Sequence, residues 1–194
     1  MKLARLAAIA LLLLAAACGK QDSQWHATDI TGAMPALDFA MTRANDGKPV
    51  RAADYRGKVV VLYFGYTHCP DICPTTLANL SEVLQKLDGR ADAVRVLFVT
   101  VDPVRDTPPL LKGYVNSFAP QIDGLSGTPD QLAALARRTR VAYSVTPASP
   151  GHPYEVMHSN AVFFFDRSGR ARLVSTETKD IDGLTADVKR LLDM

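Results

Sequence analysis

An apolar run from Val59 to Phe64 leads directly into Gly65-Tyr66-Thr67-His68-Cys69-Pro70-Asp71-Ile72-Cys73-Pro74. A continuous apolar run of this kind is the pattern of a strand covered on both faces. From Thr75 to Leu87 the period changes: Leu77, Leu80, Val83, Leu84 and Leu87 fall on one helical stripe. Two cysteines four residues apart therefore mark a buried strand running into an amphipathic helix. That junction limits both the folds open to the chain and the chemistry it can carry.

With Cys69 at or just before the helix start and Cys73 in its first turn, unpaired N–H groups and the positive end of the helix dipole favour thiolate and should lower the thiol pKa. Residues four apart on a helix have Cβ atoms about 5–6 Å apart, whereas a disulfide needs about 3.5–4.5 Å. A regular turn thus spaces the sulfurs better for a bridging metal than for an unstrained disulfide. If Cys69 lies outside the helix, the loop can relax and a disulfide becomes possible, so the pair can switch between a metal-binding dithiol and a metal-free disulfide. A purely structural disulfide would close a very small loop and remove little chain entropy. Pro70 and Pro74 stiffen the loop and remove two N–H donors.

A third soft-metal donor is available in Met157-His158-Ser159-Asn160. His158 precedes an apolar strand, Ala161 to Phe165, and is expected in a loop facing the cysteine motif. Two thiolates and an imidazole form an electron-rich set suited to copper or to redox chemistry. Isolated histidines are more often surface or satisfied core residues, and the others read that way. His26 falls in a polar stretch and His152 in the Pro-rich loop Pro147 to Pro153, while His68 precedes the helix. Met157 offers a soft thioether beside His158 but is expected to pack instead, Asp71 to tune charge or meet a partner, and Asp102 to act as a turn residue capping the segment after it.

The third cysteine has a separate context. Lys2 and Arg5 precede an apolar run from Leu6 to Ala17, too short to span a bilayer permanently. Ala15-Ala16-Ala17-Cys18 resembles a bacterial lipoprotein signal, with residues 1–17 removed and Cys18 acylated; Ala15 stands where Leu is favoured. The expectation is export to an oxidising compartment and a lipid anchor. Removal of 1–17 takes Lys2 and Arg5 from the 22 basic residues and none of the 20 acidic ones, leaving no net formal charge. Nucleic-acid binding has no electrostatic support. Residues 18–34 read as a polar tether and 35–194 as one domain large enough for a core.

Within that domain Asn45-Asp46-Gly47 signals a hairpin between Pro35–Phe39 and the segment around Val50. Val94 to Val101 is a second buried strand. Thr107-Pro108 opens a helix carrying Leu110, Leu111, Tyr114, Val115 and Phe118. Thr128-Pro129-Asp130-Gln131 has the spacing of a capping box, and Arg137, Arg138 and Arg140 lie at that helix's end. Ala161–Phe165 and Ala171–Thr176 form a hairpin about Asp166-Arg167-Ser168-Gly169, and Asp182–Leu192 is a last helix. A β-α-β core followed by a hairpin and a helix is the thioredoxin pattern. The expectation is an α/β, thioredoxin-like fold with an N-terminal β-hairpin extension and an inserted helix.

Three blocks carry a family resemblance: Tyr66-Thr67-His68-Cys69-Pro70-Asp71-Ile72-Cys73-Pro74-Thr75-Thr76-Leu77, Val101-Asp102-Pro103-Val104-Arg105-Asp106-Thr107-Pro108, and Tyr154 through Ser159 followed by Phe163-Phe164-Phe165-Asp166. In this order they resemble the Sco/SenC family, copper chaperones of cytochrome c oxidase assembly, over about residues 35–194. The resemblance implies Cys69, Cys73 and His158 as ligands for Cu(I) and Cu(II). It implies work on the binuclear copper site of oxidase subunit II, on the periplasmic side of a bacterial envelope, with a thiol reductant and another copper carrier as further partners. The reading from a different class is a thiol–disulfide oxidoreductase or thiol peroxidase using Cys69 and Cys73 as a redox pair. The spacing of the cysteines, the absence of a proline from the loop at His158, and His158 itself favour the copper reading.

Overall fold

The computed structural model describes residues 25–194; the expected signal sequence and Cys18 lie outside the described residues. Strand β4 (Val59–Gly65) is buried along its whole length. Its period-two alternation sends Val59, Val61 and Tyr63 into one core and Val60, Leu62 and Phe64 into another. It pairs in parallel with β5 (Val94–Thr100) and antiparallel with β9 (Val162–Phe165). The other strands of this sheet are β1 (Thr28–Asp29), β2 (Ala40–Arg43), β3 (Pro49–Arg51), β6 (Ile122–Ser126) and β10 (Ala171–Ser175). Together they form one sheet in the order β1-β10-β9-β4-β5-β6-β2-β3.

Helices cover both faces. On one face α1 (Ile72–Gln85), α2 (Pro108–Asn116) and α4 (Ile181–Leu192) bring Leu77, Leu80, Leu111, Val188 and Leu191 onto Phe98 and Phe164. On the other, α3 (Pro129–Thr139) brings Leu132 and Leu135 onto Leu62 and Phe165. Fully burying each such side chain is worth about 1.5–3 kcal/mol, so the stripes on these helices fix their seats. The capping box closes as expected: Thr128 Oγ1 accepts from the Gln131 N–H, and Gln131 Oε1 accepts from the Thr128 N–H. Gly47, at φ +74°, supplies the left-handed residue that the β2–β3 turn requires.

Four features differ from the sequence expectation. Helix α1 begins at Ile72, three residues before the striped segment that starts at Thr75, and Cys73 lies in its first turn, in keeping with the expectation for the cysteine pair. The helix after β5 leads to a further parallel strand, β6, which the sequence hides because Asp123 and Gly124 interrupt its apolar run. Asp123 is buried and accepts from the Tyr55 hydroxyl at 2.9 Å. Gly124 lets α2 approach closely: a Cβ there would stand 2.8 Å from Leu111 Cγ. The Pro-rich loop is the tip of a hairpin, β7 (Tyr143–Thr146) with β8 (Glu155–His158), and His158 ends β8 instead of lying in a plain loop. Finally, the described part of the segment expected to be a tether is fixed to the domain. Strand β1 pairs with β10, and buried Asp187 on α4 accepts the N–H groups of His26 (3.0 and 3.1 Å) and Ala27 (2.8 Å).

Candidate metal centre

The site begins where β4 stops. After Gly65 the chain turns, with the Cys69 N–H donating to the Tyr66 carbonyl, and α1 starts three residues after Cys69. The absent side chain at Gly65 makes room for this. A Cβ there would lie 2.6 Å from Phe98 Cε2 and 2.8 Å from Cys73 Sγ. Cys73 is fully buried beneath the helix start and Cys69 is 8% exposed at its rim. Both are free thiols. The Cys73 N–H donates to Cys69 Sγ at 3.4 Å, and the Tyr63 hydroxyl donates to Cys73 Sγ at 3.6 Å.

The β7–β8 hairpin brings in the third group. His158 Nε2 lies 3.4 Å from Cys73 Sγ. Its Nδ1 is 2.9 Å from the Ser159 carbonyl, so Nδ1–H donates there and Nε2 keeps its lone pair toward the sulfurs. Tyr66 and Tyr63 meet the imidazole edge-to-face, with centroids 5.7 and 6.1 Å away. The two sulfurs and the imidazole nitrogen all lie within 4.8 Å of one another. Two ligands each about 2.3 Å from one ion are at most about 4.6 Å apart. The group therefore matches a single ion with little rearrangement, and its S₂N chemistry fits a soft metal such as copper.

Burial governs the charges. Desolvation pushes the Cys73 thiol up to about 12, despite the hydroxyl donated by Tyr63. This reverses the sequence expectation for that cysteine, because a buried sulfur loses more solvation than the helix start returns. Desolvation likewise lowers the His158 pKa, opposed by the Ser159 carbonyl. Without a cation the interior thus holds a neutral thiol and a neutral imidazole. A bound cation supplies the charge that lets the thiol give up its proton.

The remaining candidates separate cleanly. His68 turns toward Asp106, with Nδ1 3.5 Å from the carboxylate. His26 pairs with Asp180, and His152 is exposed in the hairpin loop. Met157 is 69% exposed, where packing was expected. Asp71 is exposed at the N-terminus of α1, accepting from the Thr75 hydroxyl. Asp102 is no simple turn residue: it is buried, pairs with Arg105, and accepts from the Tyr154 hydroxyl at 2.9 Å. Sequence reasoning missed Gly65, Tyr63, Tyr66, Arg105, Asp106 and Tyr154 as parts of the site's surroundings. All but Tyr63 and Gly65 lie inside the three blocks of the resemblance, which was the available signal.

A thioredoxin-like sheet with a Cys₂His group at this strand–helix junction defines a class: thioredoxin-fold proteins whose redox position carries a set of side chains that could hold a metal. The SCO1/SenC family model matches residues 30–193, and the chain belongs to that family. Among solved structures, ScoI of Bradyrhizobium japonicum, determined with copper bound, is 39% identical with a TM-score of 0.73, covering 81% of this chain and 99% of that one. Apo Sco1 of Thermus thermophilus is 33% identical with a TM-score of 0.77, covering 90% of this chain and 100% of that one. The mitochondrial SCO2 homolog of Mus musculus is 38% identical over 156 residues, 77% of this chain and 61% of its own length. This chain spans 44–61% of three of its mitochondrial relatives, less than two thirds of each.

Proposed function

We propose that this protein is a membrane-tethered copper chaperone that receives copper at Cys69, Cys73 and His158 and assists assembly of the binuclear copper site of cytochrome c oxidase subunit II. The observation that carries this is the convergence of two thiols and an imidazole lone pair within 4.8 Å. Copper is the cargo. Cys69 and Cys73 supply the thiolates that dominate affinity for Cu(I). His158, its tautomer set by Ser159, supplies the nitrogen that Cu(II) requires. A groove of about 420 Å³ lined by Tyr143, Met157, His158 and Ser159 leaves the imidazole side open to a partner.

Among the described residues no helix is long and apolar enough to cross a membrane. Membrane attachment is assigned to acylation of Cys18, on the periplasmic side of a bacterial envelope. A thiol reductant must keep the pair reduced, and another copper carrier supplies the ion; a disulfide has no thiolate to offer. The reading as a disulfide oxidoreductase or thiol peroxidase with Cys69 and Cys73 as the redox pair is weaker, because it gives no role to the His158 lone pair held 3.4 Å from Cys73 Sγ.

The test is copper analysis of the purified, reduced protein beside Cys69→Ser and Cys73→Ser. One copper per chain is expected in the parent and loss of tight binding in each variant. Equal copper retention in all three would remove the cysteines from the site. Stoichiometric Cu(I) loading of a verified disulfide form would count against the requirement for a reductant.

A further inference from the structure

The thiols and the imidazole stand on separate pieces of chain, 85 residues apart at Cys73 and His158. Cys69 rides on the β4–α1 loop and Cys73 on the first turn of α1, whereas His158 stands on a two-stranded hairpin outside the main sheet. Something must fix one relative to the other, and the β5–α2 loop, Val101 to Thr107, touches both.

Its first arm is Asp106, fully buried. This carboxylate accepts the Thr67 N–H at 3.0 Å, the Thr67 hydroxyl at 2.6 Å and the Thr100 hydroxyl at 2.5 Å. Thr67 is two residues before Cys69, so the arm grips the thiol-bearing loop. Its second arm is Asp102, 1% exposed, which accepts from the Tyr154 hydroxyl at 2.9 Å and from Arg105 Nε. Tyr154 immediately precedes β8. The Arg105 guanidinium lies 3.7 Å from the Tyr154 ring centroid and 5.8 Å from that of Tyr66, whose ring in turn meets His158. The arms are locked together: the Asp102 N–H donates to Thr100 Oγ1, and the Asp106 N–H to the Asp102 carbonyl.

We propose that Asp102–Asp106 is a two-armed brace that sets the distance between the thiols and the imidazole, with Asp102, Arg105, Asp106 and Tyr154 as positioning residues. This rests on the copper reading for its consequence but not for its geometry. Loosening the second arm frees the hairpin and displaces His158 while leaving both thiols in place. Cu(II), which needs the imidazole, suffers. Cu(I), held by two thiolates, is largely spared.

Tyr154→Phe is the variant of choice, since it removes one hydroxyl and keeps the ring under Arg105. In the full-length, metal-free protein, amide hydrogen exchange over residues 155–158 should quicken by about tenfold or more, with β4 and β5 unchanged. Cu(II) affinity should fall by about 10–100-fold, the range for losing a group that orients a ligand, and Cu(I) affinity by less than about threefold. Arg105→Lys, which keeps the charge but not the planar stacking, should act in the same direction. Unchanged hairpin exchange in Tyr154→Phe would overturn the brace. So would a loosened hairpin with Cu(II) affinity intact, or equal weakening of both ions. Parent protein that takes up no copper would defeat the copper reading instead, and the metal-free exchange comparison would still decide the brace.

Discussion

Gly65→Ala should be among the most damaging small substitutions in the chain, although it adds one methyl group at a backbone conformation open to any residue. The added Cβ would stand 2.6 Å from Phe98 Cε2, 2.9 Å from Phe98 Cζ and 2.8 Å from Cys73 Sγ. Relaxed contact between such atoms needs about 3.5 Å or more, so each neighbour must retreat by about 0.6–0.9 Å. Neither has room. Cys73 and Phe98 are fully buried, and the Phe98 ring is packed by Tyr63 and Tyr114, with centroids 6.0 and 5.5 Å away. Overpacking of this kind costs about 1–3 kcal/mol. For a domain of this size that is a melting-point loss of about 2–12 °C. The same displacement moves Cys73 Sγ from its place 3.4 Å from His158 Nε2. Thermal unfolding of the metal-free protein and copper titration should therefore both register the change. Gly65→Ala combined with Phe98→Leu should recover part of the stability by making space for the methyl group. A Gly65→Ala protein with parental melting point and copper affinity would refute the claim that this glycine exists to seat Cys73.

Four other outcomes are expected. His158→Ala should keep Cu(I) on two thiolates but lose Cu(II) affinity by at least about tenfold, read by Cu(II) spectroscopy and Cu(I) chelator competition; equal Cu(II) affinity would exclude His158. Because burial lowers the His158 pKa, the unfolded chain takes up this proton first as the pH drops. The metal-free fold should then lose stability below about pH 6.5, an effect absent from His158→Ala in urea titrations. Asp187→Ala strips the acceptor from the His26 and Ala27 N–H groups and should cost about 2–4 kcal/mol, with faster proteolysis near residue 26. Cys18→Ser should abolish acylation and release the protein from membranes or leave its signal uncleaved; mass spectrometry of the parent showing an unmodified N-terminus other than Cys18 would refute the anchor.

The local pattern made much of this protein legible. The buried strand Val59–Phe64, the stripe Leu77–Leu84, the capping box at Thr128 and the turn at Gly47 are each stated by neighbouring residues, because hydrophobic period, caps and turn chemistry act over a few positions. The donor set was also legible: few residues ligate soft metals, and the cysteine spacing identified the strand–helix junction. What escaped depended on contacts between distant segments. Strand β6 carries Asp123 and Gly124, polar and small residues that become intelligible only against Tyr55 and Leu111. Asp187 looks like any surface acid of an amphipathic helix until the chain at His26 and Ala27 closes over it. The Cys73 proton is held by burial, a property of the whole core around it and not of its place on the helix. Asp102 and Tyr154 lie 52 residues apart and share no periodicity. The sequence by itself determined the strand–helix junction and the ligand types. Tertiary structure alone decided that they meet, because bringing a thiol and an imidazole 85 residues apart to 3.4 Å requires the sheet, the hairpin and the loop between them to fold together.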